Sequence, residues 1–324
     1  MFNADILKNY NKQSQGKNIF VKPGTGSDSN NGLTAEASVK TLARALDIAT
    51  ANQNDTIYMF AEGNSASATT DYQSTTLTWN KDGVHLIGVN AGQRMSHRSR
   101  IALISTYDTA SNLMTVSANG CLFEGLEILE GVAGTNPTGC LKVTGTRNHF
   151  LNCHIAGIGN DANDIADAYS LALIGNASEN YFENCVIGLD TISRGSAANS
   201  EIYMATLAGA RAARNIFKSC IIQGFCASAG NYTFLTAASG SIDRYVIFQD
   251  CIFTQPGASV SGGAAMTYAM IVTSANGKVI LHNTSVTGAA DIADNPGTIV
   301  SNAPAVPGAS DAKDMAITQV VLKG

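Results

Sequence analysis

Apolar side chains recur in this chain as apolar-x-x-apolar-x-apolar, and the phrase that carries them is repeated. Residues 147–155 read RNHFLNCHI, residues 179–187 read ENYFENCVI and residues 214–222 read RNIFKSCII. Extended both ways, the phrase yields six imperfect copies: NLMTVSANGCLFEGLEI, CLKVTGTRNHFLNCHI, LALIGNASENYFENCVI, IYMATLAGARAARNIFKSCII, FLTAASGSIDRYVIFQDCIF and MIVTSANGKVILHNTSV. One register holds Phe123, Phe150, Phe182, Phe217, Phe248 and Leu281. Three residues on come Leu126, Cys153, Cys185, Cys220, Cys251 and Thr284, and two further on Ile128, Ile155, Ile187, Ile222, Phe253 and Val286. The runs are short and alternate with period two, which predicts strands. Their spacing of 27 to 35 residues is that of a solenoid.

No copy carries a ten-residue helical stripe, so helical repeats fit poorly, and the Leu ladder of leucine-rich repeats is missing. The expected fold is all-β: a single-stranded right-handed parallel β-helix in which each repeat makes one coil and stacks ~4.8 Å above the last. Like residues then lie on like, because one coil cannot bury its own apolar face. Earlier coils are visible at 55–63 and 83–92, and a last one at TIVSNAP and MAITQVVLKG. Eight or nine coils make a rod of roughly 40 Å. Two polar columns run beside the apolar ones: Asn152, Asn184, Ser219, Asp250 and Asn283, and Asn148, Asn180 and Asn215. Asn at a bend tolerates a left-handed backbone and bonds to the next coil. For the second column, a ladder and an ordinary surface turn are equal expectations.

An open solenoid end needs a cap. Residues 34–50 form the one amphipathic helix, with Val39, Leu42, Leu46 and Ala49 on one face. The division expected is an arm at 1–17, a turn-rich loop and capping helix at 18–54, and the β-helix at 55–324. Gly24-Thr25-Gly26 is not a phosphate loop, since no Gly-Lys-Ser/Thr follows. The arm has a weak apolar side in Phe2, Ile6, Leu7 and Tyr10, and its expected role is docking on another subunit or protein.

Charged residues make up only 14% of the chain, against about 25% in ordinary domains. Small polar residues fill the gap, which suits either a surface covered by neighbours or tight turns. A net charge of −5 leaves no polycationic footprint for nucleic acid. No run approaches the ~20 apolar residues of a membrane span, and the first twenty residues lack a secretion signal's apolar core. The chain therefore reads as made in a cytosol. The seven cysteines include no Cys-x-x-Cys pair, so they read as buried free thiols and not as a metal site.

The segment FVKPGTGSDSNNGLTAEASVKTLARALDIA…DTIYMFAEG, together with the N-x-x-F-x-N-C-x-I coils, resembles the pectin-lyase-like superfamily of right-handed parallel β-helices. The resemblance covers most of residues 19–290. It implies the fold strongly and function weakly, since the superfamily spans polysaccharide lyases and hydrolases, bacterial surface proteins and virion proteins. None of the Asn-Thr-Asp, Asp-Asp, Gly-His-Gly and Arg-Ile-Lys motifs of its galacturonan hydrolases is present, nor the clustered Asp ligands of a calcium-dependent lyase.

No catalytic, cofactor or metal residue is assigned from the sequence. The best acidic candidates are Asp161, Asp164 and Asp167 in GNDANDIADA, with Asp190 one coil on. Paired carboxylates are what glycoside hydrolysis needs, while a solvated loop is the blander reading. His85, His97, His149, His154 and His282 are scattered, Trp79 is the only Trp, and Tyr181, Tyr203 and Tyr245 are candidate sugar platforms. The leading expectation is a non-enzymatic bacteriophage virion protein, either a capsid-surface decoration or a compact tail spike. It would be a homotrimer by resemblance, contacting the major capsid protein through residues 1–17 and a host surface glycan. The alternative is a polysaccharide lyase or glycoside hydrolase acting on bacterial surface glycan through the four aspartates. A surface adhesin is a third reading.

Overall fold

The computed structural model describes residues 16–61, 70–89, 98–104, 112–133, 138–257, 260–273 and 277–301. The arm at 1–17, apart from Gly16 and Lys17, and the closing MAITQVVLKG lie outside these residues, as does His97.

The described chain winds into three parallel sheets, here A, B and C, of ten, eight and eight strands. Each turn visits them in that order. Leu122–Glu124 lies in sheet A, Leu126–Glu130 in B and Gly139–Val143 in C; the next turn places His149–Leu151, His154–Ile158 and Tyr169–Ile174 directly above them. The connections are right-handed, as parallel strands require. This is a right-handed parallel β-helix, with the phrase register of the sequence reproduced as strand register: Phe150 pairs with Phe123 and Phe182, Phe217 with Phe182 and Phe248.

The pairing brings like side chains together inside the tube. Phe123, Phe150, Phe182, Phe217 and Phe248 stack with centroids 4.8, 4.7, 4.6 and 4.6 Å apart and planes within 16°. Leu86 continues this column below Phe123 and Leu281 above Phe248, while Trp79 and Phe253 pack edge-on against Phe123 and Phe248. Cys153, Cys185, Cys220 and Cys251 form the adjoining column, each Sγ 3.4 Å from the carbonyl of the Phe one turn below. All seven cysteines are buried and free. Burial pushes up the thiols of Cys121, Cys140, Cys185 and Cys226, Cys121 to about 11, and these act as small apolar fillers.

The two polar columns have different jobs. Asn152, Asn184, Ser219, Asp250 and Asn283 turn the A–B corner with φ of 48–54°, a left-handed bend that needs one residue per turn. The hydrogen-bonded ladder is the other column. Asn148, Asn180 and Asn215 are at most 1% exposed; Asn180 Oδ1 accepts from the Asn148 N–H, and Asn215 Oδ1 from the Asn180 N–H. The surface-turn expectation for this column gives way to a buried ladder.

The capping helix is shorter than the sequence pattern suggests, spanning Leu42–Ile48. Val39 instead bridges Val21 of the first strand, and Asp28 holds the N–H groups of Lys40 and Thr41, so the helix begins only after Thr41 caps Arg44. Gly26 packs its backbone on Val39, where a Cβ would lie 2.2 Å from the Val39 oxygen. The expected apolar face holds: Val39, Leu42, Leu46 and Ala49 are all buried.

Candidate functional site

Loops leaving sheet B carry the four aspartates. Asp164 is consumed by the loops themselves. Its carboxylate accepts from the N–H of Gly195 and Ser196 and from Asn199 Nδ2, at 3.1, 2.7 and 2.5 Å, tying residues 159–168 to the loop one turn on. Asp161 is exposed and opens a 3-10 turn, Asp161–Asn163, whose last residue is buried. Asp167 is exposed, in a left-handed conformation (φ 61°), and its N–H donates to the Ala198 carbonyl. Asp190 is exposed. With Asp164 bound into the loops, Asp161, Asp167 and Asp190 are the exposed carboxylates of this corner.

Beneath these loops lies a polar cluster that the sequence pattern did not reveal. Glu201 is 1% exposed; it accepts from Tyr232 Oη at 2.5 Å and from Ser170 Oγ, with Arg194 Nη1 at 3.6 Å. Arg194 is 2% exposed, donates to Asn199 Oδ1 at 3.2 Å and lies over the Tyr232 ring. A buried ion pair survives only when its remaining groups are satisfied, and here they are. The cluster is sealed inside the rod and pins the B–C corner. Glu130 does the same two turns lower, through Asn163 and the Val132 N–H. Its members are scattered along the chain and only the winding unites them.

The outer face of sheet C carries two registers that differ in exposure. One runs Thr115, Lys142, Ala172, Tyr203, Thr236 and Ile271, half-buried except for the buried Ala172. The other runs Asn112, Gly139, Tyr169, Ser200 and Thr233 and is buried. Tyr169 and Tyr203 sit in adjacent turns with rings 6.2 Å apart and 11° from parallel. The Tyr169 ring lies over Gly139, where a Cβ would come 2.1 Å from it, so only glycine lets this ring lie flat. Burial, and then Asp167, push the Tyr203 hydroxyl up, keeping it a donor. The half-buried register thus offers the Tyr203 ring, the Thr115 and Thr236 hydroxyls, the Lys142 ammonium and, near Tyr203, the Asp167 carboxylate. Of the three tyrosines expected as platforms, Tyr203 belongs here. Tyr181 and Tyr245 are on sheet A, the former against His149 with centroids 5.0 Å apart. Among the described residues no three His, Cys, Asp or Glu converge on a metal position.

No family model matches the chain, and no curated protein matches it by sequence. Solved structures do match in shape. A rhamnogalacturonan lyase superposes with a TM-score of 0.56 at 14% identity, over 83% of this chain and 68% of that one. The pectin methylesterase of Aspergillus niger gives 0.56 at 16%, over 92% and 88%. Pectin methylesterase PemA of Erwinia chrysanthemi gives 0.51 at 14%, over 92% of each. The shared property is the parallel β-helix fold.

Proposed function

We propose that this β-helix acts on a bacterial surface glycan, holding the sugar chain along the outer face of sheet C. The observation that carries the reading is the half-buried Tyr203 ring, backed by the buried, near-parallel Tyr169 ring, in a register with the Thr115 and Thr236 hydroxyls and the Lys142 ammonium. Such a strip suits a pyranose chain, whose ring faces are apolar and whose rims are hydroxyls. Tyr supplies rigid contact area at low entropic cost, and preset polar groups fix orientation. The fold is in keeping with this reading, being shared with structures named for rhamnogalacturonan and pectin, although at 14–16% identity that likeness concerns the fold alone.

On this reading Asp167 is the carboxylate that meets the bound chain, and Asp164 is structural. A lyase or hydrolase would work through Asp167 with a second group brought by the substrate or an adjoining loop. In a second version the rod holds glycan without cleaving it, as a virion spike or decoration would. The two versions differ in one measurement. Purified protein is incubated with a panel of capsular and exopolysaccharides, and both retention and chain length are followed. Binding that falls at least tenfold in Tyr203→Ala supports the site. Shortening of the polymer, lost in Asp167→Asn, identifies the enzyme. Binding by no polysaccharide, or equal binding by Tyr203→Ala, overturns the proposal.

A further inference from the structure

Where sheet C returns to sheet A, each turn places at least one residue in the left-handed region just ahead of or at the start of the sheet A strand. The early turns use glycine there: Gly83 (φ 63°) and Gly120 (66°). The next four use Arg147 (56°), Glu179 (59°), Arg214 (56°) and Arg244 (72°). A Cβ is strained in this conformation, and strain of this kind persists where surroundings impose it, often at functional positions. Core packing does not explain these residues, because the Arg147 and Arg244 side chains are 73% and 64% exposed.

With Arg211 and Asp243, these four line a half-open groove of about 400 Å³. Four guanidiniums face two carboxylates, a local balance of +2 on a chain whose net charge is −5. Glu179 is already spent. It accepts from Arg147 Nε at 2.6 Å and from Arg214 Nε at 2.9 Å, and those bonds, Arg214's foremost, hold its carboxyl below the usual range. It therefore braces two guanidiniums that lie two turns apart, roughly 10 Å along the rod. Arg211 has no carboxylate partner among the described residues.

We propose that this groove binds the carboxylates of an acidic, uronate-bearing polysaccharide lying along the rod axis. The guanidinium fork matches a carboxylate edge to edge. Cations repeated at the turn spacing suit an extended polymer better than a compact ion. A nucleic acid would carry suitable phosphates, yet the groove lining contains no aromatic ring on which a base could stack. The inference rests on the glycan reading for its polysaccharide and adds its charge class, at a corner separate from the tyrosine strip.

The test is equilibrium binding of alginate, with dextran, dextran sulfate and oligo(dT) as comparisons. The variants are Arg147→Gly/Arg214→Gly/Arg244→Gly and, away from the strained backbone, Arg211→Gln. Alginate should bind, weaken with added salt, and lose at least tenfold in the triple variant and severalfold in Arg211→Gln. The triple variant should melt no lower than wild type, because glycine relieves the bend. Alginate binding unchanged in both variants overturns the groove. If Tyr203→Ala nevertheless weakens it, the glycan reading survives alone. No alginate binding, or tighter binding of dextran sulfate or oligo(dT) through the same arginines, overturns the uronate assignment. Alginate binding lost equally in the groove variants and in Tyr203→Ala supports the groove and joins the two faces in one path.

Discussion

The backbone N–H of Asn148 donates to Oδ1 of Asn180, 3.0 Å away and one turn up the rod, in a strip closed to water. Asn180 also donates to the Gly145 carbonyl. Asn180→Ala would strand both groups without a partner. A buried unpaired donor or acceptor costs about 1–3 kcal/mol. Urea unfolding should therefore show a loss of about 2–4 kcal/mol with little change in slope. A loss below about 1 kcal/mol would mean water reaches the ladder.

Phe182 sits mid-column, 4.7 Å from Phe150 and 4.6 Å from Phe217. Its neighbours are held by strand pairing above and below, so they cannot close a gap. Phe182→Ala should cost about 3–5 kcal/mol. Phe182→Leu, which keeps most of the volume, should cost less than half of that in the same denaturant titration.

Two buried groups pull stability in opposite directions with pH. Asp71 links sheet B to the cap, accepting from the Leu42 N–H and Gln73 Nε2; burial outweighs these bonds and raises its carboxyl to about 6. Its contribution is present below pH 4 and is lost as pH rises to 6. Burial lowers His85 to about 4, and its Nδ1 accepts from the Leu122 N–H, so its contribution is present above pH 6.5 and is lost as pH falls to 4. Each amounts to roughly 3 kcal/mol. The wild type should be nearly flat between pH 4 and 6.5. His85→Asn, which keeps an acceptor for Leu122, should lose stability as pH rises through this window. Asp71→Asn should lose it as pH falls. Parallel slopes in the two variants would contradict the assignment.

Asp164 ties two loops through three hydrogen bonds. Asp164→Ala should lower stability by about 1–3 kcal/mol and open residues 190–199 to limited proteolysis. Any polymer shortening should persist in the fraction that stays folded. Wild-type stability with abolished cleavage would instead make Asp164 catalytic.

The columns of Phe, Cys and Ile were readable from spacing because solenoid stacking depends only on register, which one dimension records. The candidate site was only partly readable. The charged residue ahead of each Asn in RNHF, ENYF and RNIF shares a register, but the columns read from the sequence did not include it. Its left-handed backbone was hidden as well, since nothing in a list of residues marks Arg147 as bent like Gly120. Asp164 looked like Asp161 and Asp167 in spacing, and differs only because the next turn brings Gly195, Ser196 and Asn199 beneath it. Tyr169 was passed over because its usefulness depends on Gly139, thirty residues earlier and one turn below.

From the sequence alone came the β-helix, its inward columns and the position of its cap, since periodic burial forces each turn to cover the one before. Tertiary structure decided which polar column is a ladder and which is a bend, which aspartate is spent on loops, and which rings and guanidiniums share a face. Those outcomes depend on where each corner turns and how far each loop reaches, distances that a repeat period does not contain.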